Sequence, residues 1–148
     1  MFSRILVGLD GSAEGHRAGR MALEIADRFQ ARLTIVTVVP TGTDPQEAYL
    51  QGLVPRDVET KALHHQVDEL QEEAKGRGIP SVEVVTLEGK VVETFLAYLQ
   101  SHPHDLVVVG SRGLSRGSRL LLGSVSGGLV NGAPCPILVV RSTGRARS

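Results

Sequence analysis

Apolar residues come in two rhythms that alternate along the chain. Short, β-branched runs stand at Arg4-Ile-Leu-Val-Gly-Leu9, Leu33-Thr-Ile-Val-Thr-Val-Val39, Val82 to Leu87, Leu106-Val-Val-Val109 and Ile137 to Val140. Such runs suit strands of a parallel sheet, which is covered on both faces. Between the first two, Ala18, Met21, Ala22, Ile25, Ala26 and Phe29 recur at three- and four-residue spacing and predict a helix buried along that face, with Ser12 as its N-cap. Leu63, Val67, Leu70 and Ala74 mark a helix over 57–76 that Gly76-Arg-Gly78 stops, and Val92, Phe95, Leu96 and Leu99 mark one over 90–99. Residues 124–131 make a fourth. Strand and helix alternate, so the fold class is α/β: an open, doubly wound parallel sheet with helices on both faces. Periodicity leaves the strand order open. In such sheets ligands bind beyond the carboxyl ends of the strands, where the winding reverses.

Two connections are long enough to carry function. Residues 40–56 hold Pro40, Gly42, Pro45, Gly52 and Pro55 around Glu47-Ala-Tyr-Leu50. A connection of that length is a functional flap or a mobile segment, with Tyr49 and Leu50 closing over a ligand or lying in a surface turn. The other connection begins at Gly110-Ser-Arg-Gly113, runs through nine residues, and ends at Gly123-Ser124 where the fourth helix opens. Gly110 and Gly113 allow positive φ and a close backbone approach to a ligand. Ser124 is a good N-cap, and a helix starting there aims free N–H groups and its positive dipole end at the loop. Arg112, Arg116 and Arg119 add positive charge. Together they describe an anion site, with phosphate the natural anion.

The full pattern, G-x2-G-x9-G-[S/T] after a buried strand, resembles the ATP-binding signature of the universal stress protein family. The resemblance spans about residues 2–141, from Ile5-Leu-Val-Gly8-Leu-Asp10-Gly-Ser12 to Gly123-Ser-Val-Ser126 and Ala133-Pro-Cys-Pro-Ile-Leu-Val-Val-Arg141. It implies the strand order 3-2-1-4-5, a Rossmann-like sheet of the adenine nucleotide alpha hydrolase kind, with its reversal between the first and fourth strands. It also implies roles. Asp10 would accept hydrogen bonds from ribose hydroxyls, although an aspartate at a strand-to-helix turn also serves as a local turn former. Val38, Val39 and Val109 would form the adenine pocket, the valines being otherwise ordinary core residues, with Gly8 on its side and Leu9 among the nucleotide-binding residues. Gly110, Arg112, Gly113, Gly123, Ser124 and Ser126 would hold the phosphates, with Val125 among the nucleotide-binding residues. Gly8 stands where some members carry proline or a bulkier residue, which implies a looser adenine side. The family commonly dimerises through its last strand, so a homodimer through Ile137–Val140 and an unidentified protein partner are expected.

Composition narrows the alternatives. The 148 residues suffice for one domain, expected over 1–141, with 142–148 a flexible basic tail. Sixteen basic and sixteen acidic residues cancel, and aromatic residues are only 3%, which argues against a nucleic-acid partner. No apolar run approaches the roughly 20 residues of a membrane span. The opening Met-Phe-Ser-Arg enters a strand without a signal-peptide core, and the single Cys135 fits a reducing compartment, so a cytoplasmic location is expected.

Competing motifs fail. Gly89-Lys90 lacks the glycine that a phosphate loop needs at position 84, which is Val. No G-x-G-x-x-G follows the first strand. A haloacid-dehalogenase-like phosphatase needs a nucleophilic aspartate at position 8, where this chain has Gly. His102-x-His104-Asp105 is a metal ligand set or a polar loop, and His16, in the first turn of its helix, either touches a phosphate or stays clear of the crevice. No nucleophile–base pair is assembled, so no catalytic residue is assigned. The expected protein is an ATP-binding regulator with at most slow hydrolysis, Mg²⁺ being held through the phosphates. A non-nucleotide interaction module of the same fold, or a phosphotransfer enzyme using His16 or Asp10 as base, are the alternatives.

Overall fold

The computed structural model describes residues 2–40, 57–111 and 124–141. Its elements are β1 (Arg4–Gly8), α1 (Ala13–Phe29), β2 (Arg32–Pro40), α2 (Asp57–Gly76), β3 (Val82–Gly89), α3 (Val91–Ser101), β4 (Leu106–Gly110), α4 (Ser124–Gly132) and β5 (Ile137–Val140). Every expected element is present, with ends within two residues of those expected. The 40–56 connection beyond Pro40, the loop over 112–123 and the 142–148 tail lie outside the described residues.

The five strands are all parallel in the order β3-β2-β1-β4-β5. Alternate residues of each central strand face opposite layers. Ile5, Val7, Leu33, Ile35, Leu106 and Val108 join Ala18, Ala22, Leu23, Ala26, Leu70 and Ala74 beneath α1 and α2. Leu6, Val36, Val107 and Val109 join Phe95, Leu99 and Leu129 beneath α3 and α4. That two-sided burial is why these strands read as unbroken apolar runs.

The buried stripe of α1 departs from the expected one. Met21 and Phe29 are 43% and 46% exposed, whereas Gly15, Gly19 and Leu23 are buried. The helix lies so close to the sheet and α2 that Gly15, Ala18, Gly19, Ala22 and Ala26 line its inner face beside Leu23, and Met21 and Phe29 are turned outward. At Gly19, a methyl group would stand 3.3 Å from a Leu70 methyl. Phe29 still packs edge-on against Phe2, with ring centroids 5.2 Å apart.

Polar contacts fasten the layers. Arg20 forks onto Glu73, and Arg77 reaches Glu24, Asp27 and Glu73, clamping α2 to α1. The bond to Arg20, with Arg77 adding to it, holds the Glu73 carboxyl down at about 2. At the amino end of the sheet, Asp105 Oδ2 accepts from Ser3 N at 2.7 Å, Ser3 Oγ at 2.8 Å and Arg4 N at 2.8 Å, tying the segment before β4 to β1. These donors hold its carboxyl below the ordinary range. His104 Nδ1 lies 2.7 Å from the His102 carbonyl, and its Nε2 lies 3.2 Å from Thr34 Oγ1. Burial holds the imidazole below its usual value, which suits a neutral ring donating from Nδ1 and accepting at Nε2. The His102–His104–Asp105 segment is thus taken up by structural contacts. Among the described residues, no three His, Cys, Asp or Glu side chains gather as a metal cage.

Candidate functional site: the crevice between β1 and β4

In the strand order β3-β2-β1-β4-β5, the chain winds one way from β1 through β2 to β3 and the other way through β4 to β5. The reversal lies between β1 and β4, paired in register from Ile5↔Leu106 to Val7↔Val108. Asp10 leaves one strand and Gly110 ends the other, so two distant segments flank one crevice at the carboxyl edge. Ligand sites in open α/β sheets form at such points.

The β1 side is a hydrogen-bonded turn. Leu9 N donates to the Val36 carbonyl at 3.0 Å and continues the sheet for one residue beyond β1. Gly11 then takes φ 86°, a conformation that favours glycine. Asp10 Oδ1 accepts from Ser12 N at 2.9 Å and from Ser12 Oγ at 2.5 Å. Ser12 Oγ itself accepts from Gly15 N at 3.0 Å and caps α1. The turn-forming role of Asp10 is therefore real. It also orients the carboxylate, and each carboxylate oxygen can accept more than one hydrogen bond.

The β4 side is set by close approach. Gly110 keeps strand geometry as the last residue of β4, without the positive φ expected from the loop pattern. Its glycine is needed for another reason: a Cβ there would lie 2.7 Å from the Glu14 carbonyl carbon. The first turn of α1 thus rests directly on the end of β4. Ser111 N donates to the Val140 carbonyl at 2.9 Å and carries the sheet one residue further.

The remaining expected residues divide. Gly8, Leu9, Asp10, Val109 and Gly110 stand at or just beyond the carboxyl ends of the adjacent strands β1 and β4. Leu9 and Val109 are buried on opposite faces of the sheet, and Val38 is half-buried, packed on the α3–α4 side. Val39 is 48% exposed. The looser adenine side expected at Gly8 is not found. A Cβ there would lie 2.9 Å from Phe95 Cε2 and 3.3 Å from Val109 Cγ1, so these side chains fill the room. Ser124 opens α4, Val125 packs against the α3–α4 core, and Ser126 is buried. Arg112, Gly113 and Gly123 lie outside the described residues. Of the two readings open to His16, the structure shows the side chain turned to α2, where Nε2 stands 3.5 Å from Glu69 Oε1.

Sequence reasoning missed two contributors. A Cβ at Gly15 would sit 2.6 Å from Asp10 Oδ1, so that glycine makes room for the carboxylate. Gln66 of α2 donates from Nε2 to the Ser12 carbonyl at 3.1 Å. The spacing Asp10-x-Ser12-x-x-Gly15 was a readable signal for the first. For Gln66 there was none, since it stands far along the chain.

The sequence matches the model of the Universal stress protein family over residues 1–141. It is 33% identical over 143 residues to a universal stress protein of Thermus aquaticus encoded in the QAH/OAS sulfhydrylase 3′ region, covering 95% of this chain and 100% of that one. The fold is similar to that of universal stress protein UspA from Lactobacillus plantarum, with a TM-score of 0.74 at 29% identity, covering 95% of this chain and 98% of that one. It is also similar to a universal stress protein solved in complex with cAMP, with a TM-score of 0.68 at 27% identity, covering 94% and 97%.

Proposed function

Since the chain belongs to the universal stress protein family, we propose that it is a regulatory protein that binds ATP in the crevice between β1 and β4. The observation that carries this reading is the convergence of the Asp10–Ser12 turn, the first turn of α1 and Gly110 at the point where the winding reverses. The likeness to a relative solved with cAMP supports an adenine nucleotide as the ligand.

The roles follow the chemistry of the parts. Asp10 accepts from ribose hydroxyls. Gly8, Leu9, Val38, Val39 and Val109 bound the adenine. Gly110, Arg112, Gly113, Gly123, Ser124, Val125 and Ser126 hold the phosphates at the start of α4, where N–H groups and the helix dipole favour negative charge. Mg²⁺ arrives with the nucleotide on phosphate oxygens and water. Hydrolysis is slow, because no nucleophile–base pair is assembled for it among the described residues. The protein acts in the cytoplasm, and two copies pair through the free side of β5.

The test is to denature the gently purified protein and identify released nucleotide by mass, then titrate the emptied protein with ATP, AMP and cAMP by calorimetry. ATP is expected to bind most tightly. Gly113→Val and Gly123→Val should abolish binding while circular dichroism keeps the wild-type sheet signal. Wild-type protein that carries and binds no adenine nucleotide would leave the interaction-module reading in place.

A further inference from the structure

Gln66 makes a connection that the nucleotide contacts do not account for. It lies within α2, only 9% exposed, in a cleft against α1 lined by Leu9, Gly19 and Leu70, with His16, Arg20 and Glu69 beside them. Its Nε2 donates to the Ser12 carbonyl, which also accepts the first helical bond of α1 from His16 N at 3.0 Å. The Ser12 hydroxyl donates to Asp10 Oδ1 at 2.5 Å. A continuous path of hydrogen bonds therefore runs from α2, through both ends of Ser12, to the carboxylate at the crevice. The amide cannot turn over, because its oxygen would then face the Ser12 carbonyl, acceptor against acceptor. In the required orientation Gln66 Oε1 is buried without a hydrogen-bond partner among the described residues. Burying an unsatisfied acceptor is costly, and an apolar side chain would fill the space without that cost. Filling space is a poor reason for glutamine here, and holding Ser12 is a good one.

We infer that Gln66 is a positioning residue: it fixes the Ser12 carbonyl from α2 and, through the Ser12 hydroxyl, sets the Asp10 carboxylate for ribose hydroxyls. The inference rests on the nucleotide reading above. It extends that reading to a helix that supplies none of the proposed ligand contacts, so that nucleotide occupancy and the docking of α2 on α1 affect each other.

Gln66→Met tests it. Methionine keeps the length and removes both the bond to Ser12 and the unpaired oxygen. The Ser12 carbonyl retains the His16 N–H, so no buried acceptor is left bare, and the melting temperature should hold. Calorimetric titration with ATP and with 2′,3′-dideoxy-ATP, which lacks the ribose hydroxyls, supplies the readout. The variant should lose about fivefold in ATP affinity, the worth of one hydrogen bond, and bind the dideoxy form as wild type does. Equal weakening toward both nucleotides, or unchanged ATP affinity, would overturn the inference while leaving the nucleotide reading intact. Wild-type protein that binds neither would overturn both. The Gln66 side-chain amide protons of the wild-type protein provide a second check: their NMR signals should move on saturation with ATP, and an unmoved signal counts against the path.

Discussion

Gly15 shows how a single missing side chain is used. Within a helix, glycine is destabilising by about 0.5–1 kcal/mol relative to alanine, so Gly15→Ala should ordinarily stabilise α1. Here the added methyl would stand 2.6 Å from Asp10 Oδ1 and 3.3 Å from Ser12 Oγ. The carboxylate must move, and the turn bonds from Ser12 go with it. The expected outcome is a lower urea midpoint despite the better helix former, with a loss of about 1–3 kcal/mol typical of overpacking, together with weaker ATP binding. A midpoint that rises would mean that the Asp10 side chain can move aside freely. Serine at position 12 and glycine at 110 follow the same logic: each is explained by what it touches across the turn.

At the scale of elements, the contacts between α1 and α2 carry a sign that pH can read. Glu73 is held at about 2, foremost by Arg20, against 4.5 for the free side chain, and the bond to Arg77 lowers Glu24 in the same sense. A carboxyl depressed in the folded state stabilises fully above its unfolded value and loses that contribution as pH falls through the folded one. The clamp should therefore weaken from about pH 4.5 downward and be gone near about pH 2. The groups are partly exposed, so solvent screens each pair and its contribution is small. Urea midpoints of wild type and Arg77→Met should differ modestly near neutral pH, and the gap should close in acid and in high salt. A gap independent of pH would show that Arg77 acts by packing its stem, not by charge. On the other face of the sheet, the contact between α3 and α4 is apolar. Gly128 and Gly132 admit Val92 and Leu96, whose atoms would meet an added Cβ at 2.8 Å in each case. Those two side chains are half-buried, filling glycine notches where full burial was expected.

For the whole molecule, the sheet runs from β3 at one edge to β5 at the other. β5 pairs with β4 and lies at the end of the strand order, with Ile137, Leu138 and Val139 half-buried. An apolar edge strand invites pairing with another chain. Sedimentation should give twice the mass of one chain, and Val139→Lys, which puts a charge on that edge, should shift it toward one; sedimentation of the wild type as a single chain would set the homodimer aside. The alternation of apolar runs and helical stripes was enough to give the element list and the parallel sheet, because burial on two faces or one leaves a different period in the residues themselves. The strand order could be had only by resemblance, and the structure bears it out. The glycine pattern after β4 is a local signal, since turns and caps depend on neighbours in sequence, and its residues 112–123 lie outside the described ones. The folded chain alone decided three points: Gly110 serves close approach to α1 and not positive φ, His16 faces Glu69, and Gln66 reaches Ser12. Each depends on which helix lies over which strand, and that is set by packing between segments far apart in the chain, which no local spacing records.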